Sequence, residues 1–254
     1  MENKSNTMAT IYILWLRQLK RYFRSRARMA GFLGQPLLFL LALGFGLGPI
    51  FERAGDGNYI QFLAPGVITM GILFTAIFSG MEVIWDRQFG FLKETMVAPV
   101  SRVNIMIGRT LGGATAALVQ GVVVLLLAVL VGFRPDLTLL PLTLLAMALV
   151  ATLFTALGTA IASVLNDMQG FPLIINFLVM PLFFLSGALF PLEGLPKALQ
   201  ITATIDPVTY GVDAIRGTLI GASHFGLPLD FAVLGLITAI LMALGSYLFS
   251  KIQV

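Results

Sequence analysis

The chain of 254 residues contains no cysteine, one histidine and few charges. Without cysteine, disulfide scaffolds, thiol catalysis and zinc–cysteine sites are excluded. His224 alone makes a poor metal site, and no nucleophile–base–acid set stands out around it. No G-x-x-x-x-G-K-[ST] loop occurs, so the chain does not cradle nucleotide phosphates by that means. Charged residues make up 11% of the sequence, against about a quarter in soluble proteins. With 58% hydrophobic residues, the expected solvent is lipid.

Six apolar runs reach the length of about 20 residues that a membrane-spanning helix needs. They cover residues 31–50, 60–84, 104–132, 138–164, 171–190 and 230–250. Pro36 and Pro181 fall inside them, which lipid-embedded helices tolerate. The expected fold is all-α and integral to the membrane, a single transmembrane domain over residues 1–254. The span cores carry no ionisable residue; Glu82, Arg109 and Asp167 stand at span ends. Ion-coupled carriers usually need such groups inside, so a secondary carrier is disfavoured. Glycine pairs Gly44/Gly48 and Gly108/Gly112 permit close helix packing.

Orientation follows from the basic residues. Of sixteen, twelve precede the first span, follow the second, or lie at the C-terminus; Arg53, Arg134, Lys197 and Arg216 lie opposite. Both termini are therefore expected in the cytoplasm. The net charge of +4 reads as a topology and headgroup signal rather than a nucleic-acid footprint. No A-x-A cleavage site follows the first apolar run, so the N-terminal region reads as a retained anchor. Over residues 7–29, Met8, Ile11, Tyr12, Trp15, Leu16, Leu19, Tyr22 and Phe23 fall on one helical face. Arg17, Lys20, Arg21, Arg24 and Arg28 fall on the other. This pattern predicts an interfacial helix with its basic face toward anionic headgroups.

The segment Trp85–Arg102 is charged yet stands between apolar runs. Trp85, Phe89, Leu92 and Met96 form one stripe at helical spacing, with Asp86, Arg87, Lys93 and Glu94 off it. Pro99 ends the pattern. The spacing predicts a short amphipathic helix over 85–98, which either rests on the membrane surface or docks into a partner's groove. Within residues 191–229, Asp206-Pro207 reads as an N-cap and first helical position. Two short helices, about 195–204 and 207–220, are expected to dip into the membrane from the opposite side.

The order of motifs resembles the type-2 ATP-binding-cassette exporter permeases. The second cytoplasmic segment reads Asp86-Arg87, Gly90, Leu92-Lys93-Glu94, then Ala98-Pro99-Val100-Ser101-Arg102. Ala64-Pro65-Gly66 is similar to that family's Pro-Gly near span two. LSGALFPLEGLP (185–196) and DPVTYGVDAIRG (206–217) look like its Ser-Gly…Phe-Pro…Pro and [Asn/Asp]-Pro…Arg elements. Gln88 departs from the usually more acidic start. Among relatives the chain looks closest to small bacterial drug-export and nodulation-type lipo-oligosaccharide permeases.

The resemblance implies a six-span exporter subunit in a bacterial inner membrane. Residues 85–98 would be its coupling helix, and 191–229 an outer re-entrant pair closing the pathway. Trp85, Asp86, Arg87, Phe89, Leu92, Glu94 and Met96 would meet a cytosolic ATPase. ATP and Mg would sit on that ATPase, with no cofactor in this chain. A second permease, identical or paralogous, and membrane lipid would be the other partners. Thr69, Thr75, Ser79, Asn176 and Ser186 would line an amphiphile's path, with Asp206, Tyr210, Asp213 and Arg216 at its outer gate. Two other readings stand beside this one: an ion-coupled carrier or channel, and a lipid-modifying membrane enzyme built on those same four gate residues.

Overall fold

A computed structural model describes residues 4–53, 57–92, 95 and 100–252. Every regular element among them is helical. The principal helices are α1 (Lys4–Arg24), α2 (Arg26–Arg53), α3 (Tyr59–Ser79), α4 (Met81–Gln88) and α5 (Arg102–Val131). They continue as α6 (Leu140–Val164), α7 (Gly170–Leu185), α8 (Lys197–Ile205), α9 (Pro207–Ile220) and α10 (Leu227–Ser250).

Five stretches are long and apolar enough to cross a membrane: α2, the α3–α4 rod over 59–88, α5, α6 and α10. The sixth expected span is shorter. α7 has 16 residues, about 24 Å at 1.5 Å per residue against a hydrocarbon core of about 30 Å. It stops because Ser186 caps it and Gly187 takes a φ of 73°, a left-handed value that turns the chain back. Internal prolines are accommodated in α2, α3 and α7.

α3 is the central element. Nearly all of it is buried, and it packs against α2, α5, α6 and α9. Small residues set these approaches. A Cβ on Gly80 would collide with the backbone of Gly158 on α6, and one on Gly158 with Ile77. α4 follows α3 directly, with Gly80 between them in the right-handed helical region. α10 packs mainly on α6, and α2 is the least buried of the span-length helices together with α10.

α1 lies along α5. Leu14 sits over Gly108 and Gln18 over Gly112, where added Cβ atoms would stand 2.9 and 2.5 Å from their side chains. The Gly108/Gly112 spacing is thus the seat of α1, whereas Gly48 of the other pair meets nothing within 4 Å. α1 also ends earlier than the expected 29: the chain breaks at Ser25 and α2 starts at Arg26.

Candidate functional site

Two polar assemblies sit at opposite ends of the α3–α4 rod. The first is at the end that carries α1, here termed the basic end. Docking of α1 on α5 brings Arg17 and Arg21 to Asp86, at 3.3 and 3.1 Å. Arg109 of α5 pairs with the same carboxylate. Glu82, one turn earlier, takes Arg28 at 2.7 Å and Arg21 at 3.7 Å. Asp86 and Arg109 are 2% and 3% exposed. Charges so deeply buried persist only when paired. Trp15 Nε1 donates to Thr115 Oγ1 at 3.0 Å, and Tyr22 Oη to Gln120 Oε1, fixing α1 along its length.

This corrects the expectation for α1. Its Arg17 and Arg21 turn inward to the acidic pair rather than outward to headgroups, because Glu82 and Asp86 lie one helical turn apart on α4 and offer both partners. Lys20 and Arg24 remain exposed, as do the apolar Met8, Tyr12 and Phe23.

Arg87 faces the other way. Its guanidinium donates to the carbonyls of Ala162, Ser163 and Leu165, at 3.3, 3.0 and 3.2 Å, and to Asn166 Oδ1. It caps α6, whose last carbonyls lack intrahelical partners. Asp86 and Arg87 thus fasten α4 to α1, α5 and α6 at once.

The uninterrupted helix expected over 85–98 does not form. α4 ends at Gln88, and Gly90 takes a φ of 81°, a left-handed kink natural to glycine. Phe91 and Leu92 resume helical conformation beyond it. The kink splits the expected stripe. Trp85 and Phe89 are exposed, their ring centroids 5.7 Å apart, and Phe91, just past the kink, is exposed too. Leu92 is fully buried in the chain's own core. Glu94 and Met96 lie outside the described residues. Of the expected ATPase contacts, Trp85 and Phe89 therefore present their side chains outward; Asp86 and Leu92 are turned inward, and Arg87 is spent on α6.

The second assembly is at the distal end. Asp206 caps α9, accepting from Val208 N at 2.8 Å. Tyr210 Oη donates to Thr204 O at 2.7 Å. Asp213 accepts from Ser223 Oγ and from the backbone N–H groups of His224 and Phe225, so it organises the α9–α10 turn. Arg216 Nη2 donates to Gly187 O and Phe62 O, at 3.0 and 3.3 Å. A Cβ on Gly66 would collide with the backbone of Ala188, and Tyr59 Oη donates to Leu189 O at 2.8 Å. Three motifs far apart in sequence, around 64–66, 185–191 and 206–217, therefore meet here. Each of the four expected gate residues is committed to backbone groups, an arrangement for holding chain segments together. α9 is packed among α3, α6 and α10, whereas α8 is mostly exposed.

The expected path residues divide between environments. Thr69 and Ser186 are buried and donate to Pro65 O and Phe183 O, their own helix carbonyls. Thr75 and Ser79 line a cavity of about 240 Å³ with Tyr22, Arg28, Glu82 and Trp85. Thr75 Oγ1 is buried there without a partner. Asn176 lines a neighbouring crevice of about 360 Å³ with Arg28, Gln35, Met70 and Phe74. Arg28, Phe32 and Phe78 border both spaces. Sequence reasoning missed the role of Arg28 and overlooked Asp230, which is fully buried in the first turn of α10, near Asp213 and Ser223. Its signal was a lone acid at the edge of an apolar run.

Residues 9–220 match the family described as ABC-2 type transporter. The chain belongs to that family. The ABC-2 chain is also 30% identical to Nodulation protein J of Rhizobium leguminosarum bv. trifolii over 212 residues, 83% of this chain and 78% of that protein. It is 28% identical to Nodulation protein J of Rhizobium leguminosarum bv. viciae over 227 residues, 87% of each. It is 32% identical to the "Putative transport permease ycf38" of Cyanophora paradoxa over 203 residues, 78% of this chain and 69% of that protein. The family is one of transport permeases rather than enzymes. The coarse expectation, a helical ABC permease with several membrane-length apolar helices, therefore holds.

Proposed function

We propose that this ABC-2 permease is the transmembrane subunit of an ATP-driven exporter that carries an amphiphile, such as a drug, a lipid or a lipid-linked glycan, out of the cytoplasm. In this reading the basic end faces the cytoplasm of a bacterial cell and the distal end faces outward. A separate ATPase holds the ATP and Mg, and a second permease, identical or paralogous, completes the complex. The observation that carries the reading is the mounting of α4. Asp86 and Arg87 fix it to three helices, while Trp85, Phe89 and Phe91 stand bare at its tip. Exposed aromatic side chains on a rigid mount suit a groove on a protein partner.

α4 continues α3, so a push on the tip travels along a rod of 30 residues, about 45 Å long. At its far end Arg216 and Ala188 hold the distal segments against α3. The two spaces beside Arg28 lie on the same rod, one among α1, α2, the α3–α4 junction and α5, the other between α2, α3 and α7. There the polar part of an amphiphile meets Arg28, Thr75, Ser79 and Asn176. The test is a pull-down of the cognate ATPase by a Phe89→Ala, Phe91→Ala pair. Buried apolar side chains contribute about 1.5–3 kcal/mol each, and about 1.4 kcal/mol is a decade in affinity. Association should weaken at least about tenfold, with membrane insertion unchanged because both side chains are exposed in the free chain. Unchanged association and unchanged substrate-stimulated ATP hydrolysis would remove the coupling role.

A further inference from the structure

Residues 88–101 are bracketed by two arginines that do the same work on different helices. Arg87, before them, donates to the carbonyls of Ala162, Ser163 and Leu165 at the end of α6. Arg102, after them, donates to the carbonyls of Ser250 and Ile252 at the end of α10. The last carbonyls of a helix have no partner within it, and that end carries a partial negative charge. A guanidinium, with five donors in one plane, serves several such carbonyls at once.

Arg102 completes the end of α10. Tyr247 O accepts from Ser250 Oγ, Leu248 O from Lys251 N, and Phe249 O from Ile252 N. The Ser250 carbonyl is next in line, and Arg102 takes it. Ile252, beyond the helix, is 4% exposed and packs in the core, so the bond to its carbonyl fixes the chain where it leaves α10. Arg102 has no such use on its own helix. A cation in the first turn opposes the helix dipole, and α5 is already capped by Ser101, which accepts from Asn104 N.

The two capped helices are packed together near these ends. A Cβ on Gly245 of α10 would stand 2.6 Å from Met106 Cε of α5 and 3.4 Å from the Ala156 carbonyl oxygen of α6. Ser246 Oγ donates to Met106 Sδ at 3.4 Å, and Phe249 is fully buried. The pair is thus gripped at both of its ends by the two arginines that flank the exposed Phe89 and Phe91.

We infer that Arg87 and Arg102 make the α6–α10 pair a second receiver of the coupling stroke, beside the α3–α4 rod, with Arg102 the positioning residue for α10. This role rests on the coupling reading of the aromatic tip and names a further route by which its movement enters the spans.

The test is hydrogen exchange of the permease–ATPase complex in phosphatidylcholine nanodiscs, nucleotide-free and trapped with Mg-ATP and vanadate. In the parent complex, trapping should alter exchange at both 160–166 and 246–252. Arg102→Ala should raise nucleotide-free exchange at 246–252 about two- to tenfold, the range for one net hydrogen bond. It should also remove the response to trapping there and leave the response at 160–166. Arg87→Ala should do the reverse. Arg102→Cys, Lys251→Cys, bridged in this cysteine-free chain by a reductant-cleavable bis-methanethiosulfonate linker, should regain the response at 246–252 and lose it on cleavage. Caps that only stabilise helix ends would change the nucleotide-free rates and leave both responses intact, which overturns the inference. Loss of both responses from either single substitution also overturns it, because the two caps then do not act separately. A parent permease that fails to co-purify with the ATPase removes the coupling reading itself. Co-purification with no response to trapping at 246–252 removes the α10 route alone.

Discussion

The guanidinium carbon of Arg216 stands 4.1 Å above the centre of the Phe62 ring, and the same side chain donates to the Phe62 carbonyl. Arg216 lies on α9 and Phe62 in the first turn of α3, 154 residues apart in sequence. One side chain thus clamps the start of the central helix while also holding Gly187 at the turn after α7. At the other end of the rod, Asp86 performs the corresponding task with Arg17, Arg21 and Arg109. The central rod is thus held by charged groups at both ends and buried between them.

Replacing Arg216 should loosen the distal clamp. Hydrogen bonds from a charged group contribute about 1.5–3 kcal/mol, and a cation over a ring about 0.5–2 kcal/mol. Arg216→Ala should therefore lower the thermal midpoint of purified protein by several degrees. Arg216→Lys should recover little, because one ammonium does not reproduce the planar guanidinium that serves two carbonyls and a ring. Full recovery by lysine would mean that charge alone, not the fork, matters.

Breaking the buried pair at the basic end should cost more than removing it. Asp86→Ala leaves Arg109 uncompensated, and such losses run to about 3–5 kcal/mol. The double substitution Asp86→Ala, Arg109→Met should be more stable than Asp86→Ala alone. A thermal-unfolding double-mutant cycle measures the coupling; additive effects would show that Arg109 is held by something other than Asp86.

The seat of α1 is steric. Gly108→Leu, Gly112→Leu should push α1 off α5, because even a Cβ at either position meets Gln18 or Leu14 within 3 Å. Trypsin should then cut at Lys20 or Arg21 much faster than in the unsubstituted protein, with α2–α10 intact. Resistance equal to the parent protein would show that the ion pairs alone hold α1 down.

Topology has a direct check, since the chain contains no cysteine. Lys20→Cys and Ala222→Cys place single thiols at exposed positions of the basic and distal ends. An impermeant thiol reagent added to intact cells should modify only position 222. Labelling at 20 would invert the orientation argued from the basic residues.

Much of this protein was legible in the sequence because lipid imposes simple demands. Apolar runs of membrane length, twelve basic residues on one side, and Asp206-Pro207 opening a helix are local features, and each is read without knowing what touches what. Tertiary structure decided the rest. Helical periodicity placed Phe89 and Leu92 on one stripe, but a left-handed Gly90 between them turned one outward and the other into the core. Helical spacing marked the arginines of residues 7–29 as headgroup ligands, but Glu82 and Asp86 claimed Arg17 and Arg21 of α1 and Arg28 of α2 once Gly108 and Gly112 let α1 approach. The joining of Gly66 to Ala188, and of Arg216 to Phe62 and Gly187, spans up to 154 residues of chain. Side-chain pairing across that distance depends on how helices stack, and stacking is set by small residues whose partners a single sequence does not name.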